Sequence, residues 1–302
     1  MYYKHSGRFT FGGVLVALAV GMAGAFVSAC GYSFGLIHIP EAHLAAFATI
    51  AFGALDGGAA GLGLIWGHVR NKTAAWVVGA ISSTLALYLS WAMWIEAVVE
   101  RDGDKAISWT RLAPHPHGVW FMMKLINRYG TWTFENSKTP TTGGELWIVW
   151  AIEAALVIGI GIAVTIFVQE RHAYCEMCGQ WCRRATRLFL APTANLNQLK
   201  MQVEAKNLQA LEGLGLGSKT GDHVHVALES CRTCGQFHTL SVSQVTVRKK
   251  KFGHPQVAAC KLVRQMVVGA GEAQAVRQLS EKLVLAPRAP AEKARGAAAG
   301  QG

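Results

Sequence analysis

Four long stretches of this chain carry almost no charge, and they constrain its fold more than any other feature. They are residues 11–30 (FGGVLVALAVGMAGAFVSAC), 44–67 (LAAFATIAFGALDGGAAGLGLIWG), 74–97 (AAWVVGAISSTLALYLSWAMWIEA) and 146–168 (LWIVWAIEAALVIGIGIAVTIFV). About 18 apolar residues in a row are enough to cross the hydrocarbon core of a bilayer. No water reaches the backbone there, so an isolated span satisfies its own hydrogen bonds only as an α-helix. The competing reading is four buried core helices of a water-soluble protein. The second and third runs are too long and too uniformly apolar for it. Charged residues make up 16% of the chain, against roughly 25% in soluble domains. The expected fold class is an α-helical membrane protein with four transmembrane helices and a small α+β zinc-ribbon-like cytoplasmic domain.

Basic residues orient such a bundle, because they favour the cytoplasmic side. The N-terminal segment has Lys4 and Arg8, the 31–43 connection has no Lys or Arg, and the 68–73 connection has Arg70 and Lys72. Residues 1–10, 68–73 and everything after 168 are therefore expected in the cytoplasm. The 98–145 loop is mixed, with six basic residues against Glu100, Asp102, Asp104, Glu135 and Glu145, and is placed outside. Residues 171–302 hold 19 Lys and Arg against 8 Asp and Glu, and residues 1–170 hold 10 of each. The whole net charge of +11 thus sits in the tail, as expected for a domain facing an anionic leaflet. The domains read as 1–168 (membrane, with outer loop 98–145), 169–285 (cytoplasmic, metal-binding) and 286–302 (disordered by composition).

Within the membrane half, Gly53, Gly57 and Gly61 share one helix face. They admit a close neighbour, either within the bundle or in a second copy. Asp56 and Glu153 are intramembrane carboxyls, which are costly and so require a partner or a proton. Ser82, Ser83, Thr84 and Tyr88 are the candidate partners. The bland reading is an inter-helix hydrogen bond; the sharper one is a proton or ion relay. "VSAC" ending at Cys30 resembles a lipoprotein cleavage box, which makes Cys30 a lipidation candidate. Against that, "GYSFGLIHIP" follows where a polar tether is usual. Trp91, Trp94, Trp147 and Trp150 read as an interfacial belt. Residues 118–134 read as an amphipathic surface segment. "HPH" at 115–117 reads as an exposed turn rather than a metal site.

Beyond the last span come two pairs of the form C-x2-C-G: Cys175, Cys178, Gly179 and Cys231, Cys234, Gly235. Cytoplasmic thiols stay reduced, so metal binding is the leading use of such pairs. Four thiolates make the tetrahedral set that zinc prefers. A rubredoxin-like iron site is the electron-transfer alternative. "HVHVALES" and "FHTLSVSQVTV" alternate on either side of the second pair, which predicts a hairpin with the cysteine turn at its tip. "RLFLA" offers a short strand after the first pair. Residues 193–212 predict a helix with Leu196, Leu199, Val203 and Leu211 as its apolar stripe and Thr193 or Asn195 as cap. Residues 271–284 predict another. The 52 residues between Cys178 and Cys231 exceed the usual ribbon spacing of about 15–20. Cys182, His238, His254 and Cys260 are substitute ligands. "RKKK" at 248–251 reads as a solvated strand end beside acidic lipid rather than a nucleic-acid contact.

The run "FGLIHIP…FATIAFGALDGG…GHVRNKTAAW…LALYLSWAMWI", with "ELWIVWAIEA" and "YCEMCGQW…CRTCG", resembles uncharacterised bacterial four-span membrane proteins with a cytoplasmic cysteine-pair domain. The best matching positions are Arg70, Asn71, Trp91, Trp147, Trp150, Glu153 and the four paired cysteines. The resemblance implies a multi-pass protein of the bacterial cytoplasmic (inner) membrane with both termini in the cytoplasm, and brings no activity with it. No nucleophile–base pair, phosphate loop or cofactor fingerprint stands in the sequence. The expected role is a non-enzymatic scaffold or docking protein with a structural zinc, contacting the lipid bilayer, anionic lipid and a cytoplasmic protein partner. The alternative is a small proton- or ion-coupled transport component using Glu153.

Overall fold

The computed structural model describes residues 1–39, 42–101, 108–130, 141–248 and 256–285. The tail 286–302, His254 and the lysines at 249–251 lie outside the described residues. The chain forms two compact units, one of His5–His172 and one of Met1–Lys4 with the residues from Ala173 on.

The first unit contains α1 (Phe11–His38), α2 (Ala42–Trp66), α3 (Lys72–Arg101), α4 (Trp109–Leu112), α5 (Pro116–Tyr129) and α6 (Gly143–Glu170). Helices α1, α2, α3 and α6 are long and apolar enough to cross a membrane. With 25 to 30 residues each they run about 38–45 Å, longer than a hydrocarbon core of ~30 Å. They are also longer than the apolar runs suggest. Helix α1 continues past Cys30 to His38, because Tyr32 and Ser33 remain on its buried face and Ser33 Oγ donates to the Ser90 carbonyl at 3.0 Å. The segment expected as a connection from residue 31 is therefore mostly helix.

Helices α1 and α6 occupy opposite corners of the bundle, each flanked by α2 and α3. Small residues make the contacts. Gly13, Ala17, Gly21, Ala25 and Ala29 recur every fourth position along the buried face of α1. A β-carbon on Gly57 would press on the Gly161 carbonyl oxygen and stand 2.8 Å from Gly161 Cα. One on Gly53 would stand 2.9 Å from the Val157 carbonyl oxygen. The Gly53, Gly57, Gly61 face is thus covered by α6 of the same chain and is not open to a second copy. Large apolar side chains point the other way: Phe26, Val27, Phe47, Leu55, Ile81, Ile148 and Ile152 are all exposed.

The helix ends are tied by polar groups. Thr10 caps α1, its Oγ1 accepting the Gly13 amide at 3.1 Å. Asn71 accepts the Ala74 amide at 2.9 Å at the start of α3 and donates to the Gly7 carbonyl at 2.9 Å. The tryptophans expected as a belt pack on one another instead. The Trp91 and Trp150 rings are 4.7 Å apart and those of Trp147 and Trp150 are 5.1 Å apart, both edge to face. Helix α5 closes over this cluster with Val119 and Ile126 and with Trp120, whose ring lies 5.1 Å from that of Trp147, and leaves Phe121 and Tyr129 exposed. His115 of "HPH" precedes α5 as its N-cap, and its Nδ1 lies 2.9 Å from the Arg111 carbonyl.

The second unit contains β1 (Tyr174–Cys175), β2 (Gln180–Trp181), β3 (Arg183–Leu190), α7 (Leu196–Glu204), α8 (Gln209–Glu212), β4 (His223–Ser230), β5 (His238–Arg248), β6 (Gln256–Val268) and α9 (Ala270–Leu285). Strands β3 to β6 form a four-stranded antiparallel sheet in chain order. Its inward side chains, Leu188, Leu190, Val224, Val226, Leu228, Leu240, Val242, Val263 and Met266, make one core with Leu199 and Val203 of α7, Leu211 of α8, and Ala273, Val276 and Leu279 of α9. The expected single helix over 193–212 is two, divided where Lys206 takes a left-handed backbone angle. Asn195 is its cap, accepting the Gln198 amide at 3.1 Å. Strand β6 has no counterpart in the sequence reading. Residues Met1 to Tyr3 pair with its outer edge: Tyr3 donates its amide to the Gln265 carbonyl and Val267 donates to that of Met1, both at 2.9 Å.

Candidate metal centre and buried carboxyl groups

Each C-x2-C-G segment is a tight turn closed by a backbone bond across the pair. The Gly179 amide donates to the Cys175 carbonyl at 3.0 Å and the Gly235 amide to that of Cys231 at 3.1 Å. Both glycines sit at positive φ, +64° and +61°, which a side chain would strain. The first turn joins β1 to β2, and the second is the tip of the β4–β5 hairpin, as the alternating flanks predict.

The long separation between the pairs is closed by the sheet. Strand β3 starts one residue after Cys182 and pairs antiparallel with β4, Arg183 facing Ser230. The chain runs out along β3, crosses through α7 and α8, and returns along β4 to Cys231. The intervening residues thus fold back on themselves. Two further bonds hold the turns: Thr233 donates to Gln180 Oε1 at 2.9 Å, and the Tyr174 amide donates to the Tyr3 hydroxyl at 3.0 Å. The Tyr3 ring meets Phe237 edge to face at 5.7 Å.

The sulfurs of Cys175, Cys178, Cys231 and Cys234 all lie within 4.8 Å of one another, with Cys175 and Cys234 3.7 Å apart. A disulfide needs about 2.05 Å. Four sulfurs at ~2.3 Å from one ion form a tetrahedron with edges of about 3.8 Å, so the spacing fits a metal ion. Cys175 and Cys231 are buried, whereas Cys178 and Cys234 are half-buried. The Gln236 amide points at Cys234 Sγ from 3.5 Å and holds that thiol down to about 6. The hydrogen bond with Cys234, with burial adding to it, pushes Cys178 up to about 12. Together these describe a cluster in which the first thiolate forms at Cys234 and makes the next harder to form.

The substitute ligands stand elsewhere. Cys182 is buried beside the cluster but outside the group of four, and burial pushes its thiol up to about 12. His238 is turned to Ser230, its Nδ1 2.7 Å from the hydroxyl. Cys260 is exposed on β6.

In the helical unit the carboxyls meet hydroxyls. Asp56 is fully buried; the Ser82 and Ser83 hydroxyls lie against its two oxygens, each at 2.8 Å, as two of the expected partners. Glu153 takes a partner the sequence reading missed, Tyr32, whose hydroxyl lies 2.6 Å from Oε1 and 2.9 Å from Thr49 Oγ1. Tyr88 donates to the Ala113 carbonyl instead. Tyr32 lies past the end of the first apolar run, so nothing in its sequence neighbourhood marks it as a partner for Glu153. Cys30 is half-buried within α1, which runs through it unbroken. Comparison with protein families, curated proteins and solved structures found no match for this chain.

Proposed function

We propose that this chain is a multi-pass protein of the bacterial inner membrane whose cytoplasmic unit is built on one structural zinc and serves as a non-enzymatic docking platform. The four converging sulfurs carry the reading. Four cysteine ligands complete a tetrahedron, which characterises structural rather than catalytic zinc sites. The same set accepts iron, so metal analysis decides between zinc and a redox centre.

Membrane residence is supported by the distribution of side-chain sizes in the bundle. Small residues line the helix contacts and large apolar ones face out, which suits lipid and is unfavourable in water. The pairing of Met1 to Tyr3 with β6 brings the N-terminal residues onto the unit that follows the last apolar helix, which supports an even number of spans between them. Arg183, Arg184 and Arg187 of β3 are exposed and offer positive charge to anionic lipid or an acidic partner. The test is a comparison of the wild-type chain with its Cys175→Ser/Cys234→Ser variant, each purified in mild detergent. The reading requires about one zinc per wild-type chain, a cytoplasmic protein held by the wild type, and loss of both in the variant. Labelling of a cysteine engineered at position 290 by an impermeant reagent in intact cells would remove the topology.

A second reading, a small proton- or ion-coupled transport component, is favoured by the Glu153–Tyr32–Thr49 contact, which joins α6, α1 and α2. Unchanged flux in Glu153→Gln removes it.

A further inference from the structure

The two buried carboxyl groups share one arrangement. Ser82 Oγ lies 2.8 Å from Asp56 Oδ1 and 3.0 Å from the Gly21 carbonyl oxygen. The Tyr32 hydroxyl lies 2.6 Å from Glu153 Oε1 and 2.9 Å from Thr49 Oγ1, which in turn lies 3.0 Å from the Ala45 carbonyl oxygen. Each is a chain of oxygens that starts on a carboxyl and ends on a backbone carbonyl.

A hydroxyl has a single hydrogen to donate, and a backbone carbonyl has none. With Asp56 ionised, Ser82 faces two acceptors and leaves one contact without a hydrogen. With Glu153 ionised, Tyr32 and Thr49 bring two hydrogens to three contacts. One proton on each carboxyl supplies what is missing. Asp56 then donates to Ser82 and Ser82 to Gly21, while Ser83 donates to Asp56 Oδ2. Glu153 donates to Tyr32, Tyr32 to Thr49 and Thr49 to Ala45. Every contact is filled, and among the described residues the partners of both carboxyls are hydroxyls.

We propose that the helical unit binds two protons, one on Asp56 and one on Glu153, each as the head of a hydroxyl relay that ends on a backbone carbonyl. A cation as large as calcium fits less well. An ion of calcium size at about 2.4 Å from its ligands sets neighbouring oxygens roughly 3.4 Å apart. The contacts here are 2.6 to 3.0 Å. The two sites differ in depth. Asp56 is 14 residues into α2 and Glu153 ten residues into α6, about 21 Å and 15 Å along their helices. Asp56 has no exposed surface, whereas Glu153 is half-buried. The Glu153 proton is therefore the one that exchanges.

Infrared difference spectroscopy on the full chain in lipid vesicles at neutral pH tests this. The wild type is expected to show two carboxylic C=O bands. One disappears in Asp56→Asn and the other in Glu153→Gln. Both amides keep a donor at the head of their relay, so both variants fold. Tyr32→Phe should shift the Glu153 band without removing it. In deuterated buffer the Glu153 band should move before the Asp56 band. Carboxylate bands in place of either C=O band would overturn the proposal for that residue, and bands that respond to added sodium or calcium would make the site a cation site. These outcomes do not involve the cysteines, so failure here leaves the zinc reading intact.

Discussion

Gly57 and Gly58 are adjacent in α2, and alanine at the two positions should have opposite effects. A β-carbon at Gly57 would stand 2.8 Å from Gly161 Cα and press on the Gly161 carbonyl oxygen. Carbon atoms pack comfortably at about 3.5–4.0 Å, so α2 and α6 must separate by roughly 0.7–1.2 Å. An opening of that size forfeits about a quarter to a half of each dispersion contact along the seam. Overpacking of this kind costs about 1–3 kcal/mol. A β-carbon at Gly58 meets nothing within 4 Å. Both substitutions gain the same ~1 kcal/mol of helix propensity, so the difference between the variants isolates the clash. The folded-to-unfolded ratio should differ roughly 5- to 150-fold between them. Reversible unfolding in mixed micelles of mild detergent and SDS, followed by tryptophan fluorescence, measures it, since Trp91 and Trp150 lie in the bundle core. Equal midpoints for Gly57→Ala and Gly58→Ala would refute the α2–α6 contact.

Three further outcomes follow from the second unit. In protein stripped of metal, alkylation at neutral pH should modify Cys234, held down to about 6, before Cys182, pushed up to about 12. Cys178, pushed up to about 12, must lose its proton to bind metal at neutral pH, and below about pH 6 the Cys234 thiolate takes up its own, so zinc affinity should fall as the pH drops and more steeply below about 6. Mass spectrometry and zinc titration across pH read both effects, and equal alkylation rates would contradict them. Tyr3→Ala removes the hydrogen bond to the Tyr174 amide, a loss of about 0.5–1.5 kcal/mol, together with the contact with Phe237, and should speed zinc release to a chelator while Cys182→Ser leaves zinc content unchanged. Leu240→Ala opens a cavity in the centre of the sheet core, where Leu240 is fully buried, and should cost about 2–5 kcal/mol in thermal unfolding of that unit.

Much of this architecture is legible in the residues. The four apolar runs become four long helices, in which each segment satisfies its own backbone hydrogen bonds. The C-x2-C-G turns form because the chemistry is local: four residues and a glycine at positive φ. The β4–β5 hairpin follows from the alternation of Val224, Val226 and Leu228 with polar neighbours, and its tip is the second cysteine turn.

Tertiary structure decided what depends on distance along the chain. Strand β6 was hidden because register shifts opposite Leu240 to Ser243 and the left-handed backbone of Gln265 break its alternation, and its first half is exposed. Nothing in Met1 to Tyr3 announces its bridge to β6, since the partner edge exists only after β6 is placed. The pairing of Glu153 with Tyr32, 121 positions away, required α1 to continue eight residues past Cys30. The sequence named the carboxyls and the cysteines as costly or reactive groups. Only packing could determine which hydroxyls and sulfurs come within hydrogen-bond or ligand distance of them, because that depends on helix corners and strand register rather than on spacing.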